Sequence, residues 1–188
     1  MKIKIQNNII KILFLSILFF SISSCDQKIE KEFNKNARID VKIFSSLTCP
    51  HCANFHKKVV LKIKKDNALN NIVNFEHIGF PLDLAALNAE KILYCSKNQE
   101  NRFELLTHLY NEQNNWASGS NINDINESLR KIANKFKIND TNVAKCLKDE
   151  NLEEKILKRM LDAKKKFKID STPTIFINKK KYEEKNNF

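Results

Sequence analysis

The stretch Asp40-Val41-Lys42-Ile43-Phe44, followed by Ser46-Leu47-Thr48-Cys49-Pro50-His51-Cys52-Ala53-Asn54-Phe55-His56, decides the fold. Its first five residues alternate and favour β structure, so they read as a strand, with Lys42 facing solvent. Beyond the cysteines, Phe55, Val59, Val60 and Ile63 recur near helical spacing in a run free of Gly and Pro as far as Asp66 and Asn67. A strand therefore hands Cys49 to the first turn of a helix. Unpaired backbone N–H groups and the helix dipole stabilise a thiolate there and lower its pKa. Pro50 suits that turn because its missing N–H costs nothing, and His51 can donate to the Cys49 sulfur or pair with it as imidazolium. Each unit by which a thiol pKa falls favours the reduced form by about 1.4 kcal/mol, or about 30 mV in a two-electron couple.

A C-x-x-C element has other uses: half of a zinc site, a haem attachment, or a plain structural disulfide. Haem attachment needs His directly after the second Cys, where this chain has Ala53. Zinc needs two further ligands; His56 offers one, and no second C-x-x-C or H-x-x-x-H follows, so neither a metal nor another cofactor is expected. The position of Cys49 between strand and helix favours redox chemistry.

Far along the chain, Ile169-Asp170-Ser171-Thr172-Pro173-Thr174-Ile175-Phe176-Ile177 places a Pro at the head of a β-branched strand. Pro is tolerated at a strand start, and taken alone Pro173 reads as an ordinary strand-entry residue. Between the two strands the period is helical. Leu84, Leu87 and Ile92 share one segment, and Phe103, Leu106 and Tyr110 another. Ile125, Leu129, Ile132 and Phe136 follow, then Leu152, Ile156, Met160 and Ala163. Such stripes are core, not a cofactor box.

The chain has 188 residues, two of them Gly, which excludes Gly-rich phosphate loops. Its length and 42% hydrophobic content suit one domain with a real core. The net charge of +11 comes from 29 Lys and 4 Arg. Arg is the residue favoured for bidentate phosphate and base contacts, so the charge reads as a solvated Lys-rich surface with no nucleic-acid partner.

Lys2, Lys4 and Lys11 precede an apolar run, Ile12 to Ile22, that is too short for a comfortable span of about 20 residues and matches a signal-peptide core. Ile22-Ser23-Ser24-Cys25 resembles a bacterial lipobox, with Ile in place of the usual Leu; it implies cleavage before Cys25 and lipid on its thiol. Ordinary cleavage near Ser24 and an uncleaved anchor are the alternatives. All three carry residues 26–188 out of the cytoplasm, and loss of three Lys in 1–24 lowers the charge from +11 to +8. Asp26 after the lipid Cys, by resemblance to enteric lipoproteins, favours retention at the inner membrane, with 25–37 as a polar tether. With Cys25 set aside, Cys49, Cys52, Cys95 and Cys146 form an even set in an oxidising compartment.

The motif Ser46 to His56, then Phe80-Pro81-Leu82-Asp83, then Thr172-Pro173-Thr174-Ile175-Phe176-Ile177-Asn178, resembles in order and spacing the DsbA-like thiol-disulfide oxidoreductases, especially their alphaproteobacterial form. The resemblance covers about 38–182. It implies an α/β, thioredoxin-like fold with an inserted helical domain: 38–81 and 151–188 as the two thioredoxin-like parts, and 82–150 as the insertion. It also implies a cis Pro173 against the redox pair, with the Thr172 backbone pairing with the substrate chain. Relatives often carry a second disulfide within the insertion, and here that would be Cys95–Cys146, the alternative being two buried free thiols. Closing that loop of roughly 50 residues stabilises by roughly 4 kcal/mol in the chain-entropy model.

Two departures stand out. Many relatives have Glu where this chain has Ile43, a buried carboxylate able to shuttle the proton of the second Cys. After Ile177 there is room for a last strand near Lys181-Tyr182-Glu183 but not for a closing helix, so either one sheet face is poorly covered or the sequence is a fragment. The function implied is a periplasmic oxidase that introduces disulfides into exported proteins with Cys pairs. Cys49, Cys52, His51 and Pro50 would be its catalytic group, and Thr172 and Pro173 its substrate contacts. A DsbB-like membrane quinone oxidoreductase would reoxidise it. The competing functions are a reductase or isomerase on the same fold, and a non-catalytic lipoprotein.

Overall fold

The computed structural model describes residues 38–96 and 98–183. The expected signal peptide, the 25–37 tether and Cys25 lie outside them. Four strands, β1 (Ile39–Ser45), β2 (Val73–Gly79), β3 (Thr174–Ile177) and β4 (Lys180–Lys181), form one sheet in the order β2-β1-β3-β4. Central β1 runs parallel to β2, with Ile39 opposite Val73 and Ser45 opposite Gly79, and antiparallel to β3, with Val41 opposite Ile177. A parallel pair needs a crossover. It is made by α1 (Pro50–Phe55), a π-helical turn (His56–Val60), α2 (Leu61–Lys65) and α3 (Asn67–Asn70). Sequence periodicity predicts one regular helix over this run; the structure instead widens it by the π turn, which buries His56 and Val60.

The period of two along β1 builds two cores. Val41 and Ile43 pack with Phe55, Val60, Val73 and Ile175 on one face. Phe44 on the other face packs with Ile78, Phe80, Ala163, Ile169 and Phe176. Ala163 belongs to α9 (Glu150–Phe167), which lays Met160 and Phe167 beside it. This face of the sheet is thus covered by a helix that precedes β3, while Ile177 and Tyr182 are exposed.

The helices between β2 and β3 are α4 (Leu84–Tyr94), α5 (Gln99–Asn111), α6 (Gln113–Trp116), α7 (Ile122–Lys135), α8 (Asp140–Leu147) and α9. Their core is continuous with the redox loop: Leu47, Cys49 and Cys52 share one cluster with Ile92, Leu109, Trp116 and Leu129. Cys95 and Cys146, 51 positions apart with Cα atoms 6.4 Å apart, are joined in a disulfide between the ends of α4 and α8. Close by, the buried Lys91 donates to the Leu147 carbonyl at 2.7 Å and to Glu153 at 2.9 Å, tying α4 to α8 and α9.

Asn and Asp start these helices. Asp83, Asn98, Asn121, Asn139 and Asp149 each accept a backbone N–H of the first turn. Asn121 accepts two, from Asn123 and Asp124. Asn121→Ala is expected to lower stability by about 1 kcal/mol. A denaturant midpoint unchanged from wild type would contradict that role.

Candidate active site

Cys49 is the N-cap of α1, in extended conformation (φ −81, ψ 119), with Pro50 opening the helix behind it. Extended backbone at that point turns the chain from β1 into α1 and leaves the N–H groups of His51 and Cys52 pointing at the Cys49 sulfur. Cys49 and Cys52 are both buried and unpaired by any disulfide, so the site is in its dithiol state. The Cys49 Sγ lies 3.4 Å from the Thr172 carbonyl oxygen, to which it donates when it carries its proton. The Thr172–Pro173 bond is cis and brings Thr172 across 123 positions of sequence to this contact.

The two thiols are driven apart. Cys49 is lowered from its ordinary 9.0 to about 5, chiefly by a hydrogen bond from the Cys52 thiol; burial opposes this, and Thr172 and the N–H groups of Cys52 and His51 add to it. Cys52 is pushed far up, first by burial, then by the hydrogen bond it donates to Cys49 and by the charge of that thiolate. The sequence assigns the stabilisation to the helix terminus. The terminus contributes, but the neighbouring thiol contributes more. His51 reaches Cys49 through its backbone N–H, and both its imidazole and Pro50 are exposed. His56, one turn beyond Cys52, is buried with Nε2 2.9 Å from the Thr107 hydroxyl, and burial lowers it to about 4, so its imidazole is neutral.

Three contacts fix the loop that carries Cys49. The Thr48 hydroxyl donates to Asp83 at 2.7 Å, and the Leu82 N–H to the Ser46 hydroxyl at 3.4 Å, which explains why Phe80-Pro81-Leu82-Asp83 accompanies the motif. The third contact escaped sequence reasoning. Gln113, buried in α6, donates its Nε2 to the carbonyls of Leu47 at 2.8 Å and Cys49 at 3.1 Å. Its partners lie more than 60 positions away, and a lone Gln between helical stripes gives no local sign of such a role. Gln113→Leu takes the side-chain donor from both carbonyls; that of Cys49 keeps the Ala53 N–H at 3.2 Å while that of Leu47 loses Gln113 as its donor, and the change is expected to cost about 1–3 kcal/mol. Measured by chemical denaturation together with the rate of Cys49 alkylation, both quantities should change; an effect on neither would remove Gln113 from the site.

A family model described as thioredoxin matches residues 34–188. A protein of Rickettsia bellii named as a protein-disulfide oxidoreductase is 27% identical over 146 residues, which is 77% of this chain and 55% of that protein. This chain spans about half the length of the curated relatives it matches. Among solved structures, Wolbachia pipientis alpha-DsbA1 superposes with a TM-score of 0.70 at 30% identity, covering 80% of this chain and 76% of that one. A protein-disulfide isomerase from Novosphingobium aromaticivorans shares the fold, with a TM-score of 0.69 at 19% identity over 80% of this chain and 87% of that one. Together with the strand-to-helix cysteine pair and the distant cis Pro, these matches show that the chain belongs to the thioredoxin family, among its DsbA-like members.

Proposed function

We propose that this protein is a dithiol oxidase that introduces disulfides into exported proteins. The observation that carries the reading is the split between Cys49, near 5, and the dry, strongly raised Cys52. A stabilised Cys49 thiolate favours the reduced enzyme and so makes the disulfide form oxidising. A substrate thiolate attacks Cys49 Sγ; the Cys49–Cys52 bond breaks and its electron pair leaves on Cys52. A second substrate thiolate attacks the substrate sulfur of the mixed disulfide and expels Cys49 as the stabilised thiolate. The substrate leaves with a disulfide and the enzyme as a dithiol.

Pro50 sets the start of α1 behind the nucleophile, and His51 supplies an N–H to it, its imidazole lying on the solvent side. Thr172 and Pro173 would hold the substrate backbone, a role supported by the 3.4 Å contact of the Thr172 carbonyl with Cys49 and by the cis Thr172–Pro173 bond. Reoxidation falls to a DsbB-like quinone-linked membrane partner. Export through residues 1–24 and lipid on Cys25 would keep the enzyme beside that partner at the inner membrane, and mass spectrometry of the membrane-extracted protein reads both lipid and cleavage site.

Equilibration with glutathione tests the direction. An oxidase is expected near the range of strong oxidants, on the order of −120 mV; a value near −270 mV would make the protein a reductant. Model-peptide oxidation should vanish in Cys49→Ala, and equal activity in both would leave only a binding protein. The pH dependence follows from the Cys49 shift. A thiol whose folded pKa is depressed stabilises the reduced fold fully above its unfolded value of 9.0, and that stabilisation is lost as pH falls through about 5. The stability of the reduced form relative to the oxidised form should therefore rise across that window, with half of the Cys49 thiolate formed near pH 5 in an ultraviolet titration.

A further inference from the structure

Cys52 is 2% exposed, yet exchange requires it to take up a proton when it is expelled and to lose one when it attacks. So little of it meets bulk water that a route for the proton through the groups and space around it is called for. On the inner side of Cys52 lies a cavity of about 40 Å³ whose polar and ionisable lining is Ser45, Cys52, His56, His77 and Tyr110. Since one water needs about 10–15 Å³ of such space, a short water chain fits.

Two of these groups are unsuited to store the proton. His56 is held near 4 with its Nε2 on Thr107. Tyr110 is raised well above its usual range by burial, so its hydroxyl keeps its proton. Ile43, also on the cavity wall, has no ionisable group. The line continues through Ser45, whose Oγ is 2.9 Å from His77 Nδ1, and through His77 Nε2, 2.7 Å from Glu90 Oε1. Glu90 is fully buried, and its Oε2 has no hydrogen-bond partner among the described residues. A buried carboxylate with an unused oxygen is costly and calls for a reason. Its seat is built: a Cβ on Gly79 would stand 2.6 Å from Glu90 Cδ. The His77 side chain keeps 16% of its surface open, which gives the line an outlet to solvent.

We propose that the His77–Glu90 pair, reached through Ser45 and the water-sized cavity, is the proton relay of Cys52. The proposal rests on the exchange reaction at Cys49 and Cys52 set out above. When the substrate sulfur bonds to Cys49 and the Cys49–Cys52 bond breaks, the electron pair on Cys52 takes a proton passed along the cavity from Ser45 and His77. The pair is left one proton poorer and is refilled from solvent at the open edge of His77. When Cys52 attacks a mixed disulfide between Cys49 and an oxidising partner, the proton runs the other way. The charged and titratable neighbours from the elements packed around the relay are Tyr110 of α5, His56 of the π turn, and Tyr94 of α4 with Arg102 and Arg159 beyond it.

The test uses the full chain with Cys49 carrying a glutathione mixed disulfide, following Cys52 attack by quenched flow from pH 5 to 9. Glu90→Gln keeps the shape beside Gly79 and an acceptor for His77, but cannot hold the proton. It is expected to slow the Cys52 step at least about tenfold and to change its pH profile, while Cys49 alkylation keeps its wild-type rate and Glu90→Asp recovers part of the loss. His77→Gln, at the partly open end, should give the same altered profile and serves alone should Glu90→Gln not fold. Profiles in either folded variant that superpose on wild type would overturn the relay while leaving the exchange reaction intact. Wild-type protein that fails to exchange with glutathione, or does so no better than Cys49→Ala, would remove the exchange reaction itself and the relay with it.

Discussion

The structure turns on one hydrogen bond between two sulfurs: a Cys52 thiol whose ionisation burial opposes donates to a Cys49 thiolate held at the mouth of a helix. Keeping one sulfur dry and the other charged within a single helical turn needs a scaffold on both sides. The sheet side supplies β1, which fixes where α1 begins, and the cis Thr172–Pro173 turn, which closes over Cys49. The helical side supplies the cover for Cys52 and, through Gln113, the donor for the carbonyls of the loop. The insertion is therefore half of the site's dielectric environment and not an appendage to it. Without that cover, Cys52 would lose the desolvation that separates its ionisation from that of Cys49.

Much of this arrangement is local and therefore legible in the sequence. β1 reads from alternation, the start of α1 from Pro50, and the helical stripes from their period, with Ile125, Leu129 and Ile132 buried on α7. What could not be read is long-range and depends on residues of unremarkable type. Gln113, His77 and Glu90 carry no pattern of their own, and each acquires its meaning from a partner on another element. The π turn is likewise invisible to periodicity, because Phe55, Val59, Val60 and Ile63 fit a regular helix almost as well. At Ile43 the family resemblance leads one to expect a carboxylate; no count of residues indicates that one from α4, Glu90, meets His77 of β2.

Adjacent positions on α4 show how the two halves are joined. Glu90 and Lys91 are about 100° apart around the helix, so they face different neighbours. Glu90 meets His77 of β2, whereas Lys91 meets Leu147 of α8 and Glu153 of α9. Both are buried ionisable side chains, and each has a hydrogen-bond partner on another element. One helix thus couples the sheet to the disulfide-linked end of the helical region through the polar contacts of two adjacent residues.

The scarcity of glycine sharpens the case for a built site around Glu90. Four described positions have positive φ, and they are Lys137, Lys168, Asn178 and Lys179; glycine occupies none of them. A left-handed non-glycine residue costs on the order of 1–2 kcal/mol, and this Lys- and Asn-rich chain tolerates that cost at four turns and helix ends. Its two glycines stand instead where a side chain has no space: Gly119 against Ile125 and Asp124, and Gly79 against the Glu90 carboxylate. The chain dispenses with glycine at its positive-φ turns yet has one where a Cβ would stand 2.6 Å from a buried carboxylate, so Gly79 leaves the room that the Glu90 carboxylate fills. The same reasoning separates Glu90 from the lysines of the surface, whose number reflects composition and whose positions carry no such constraint.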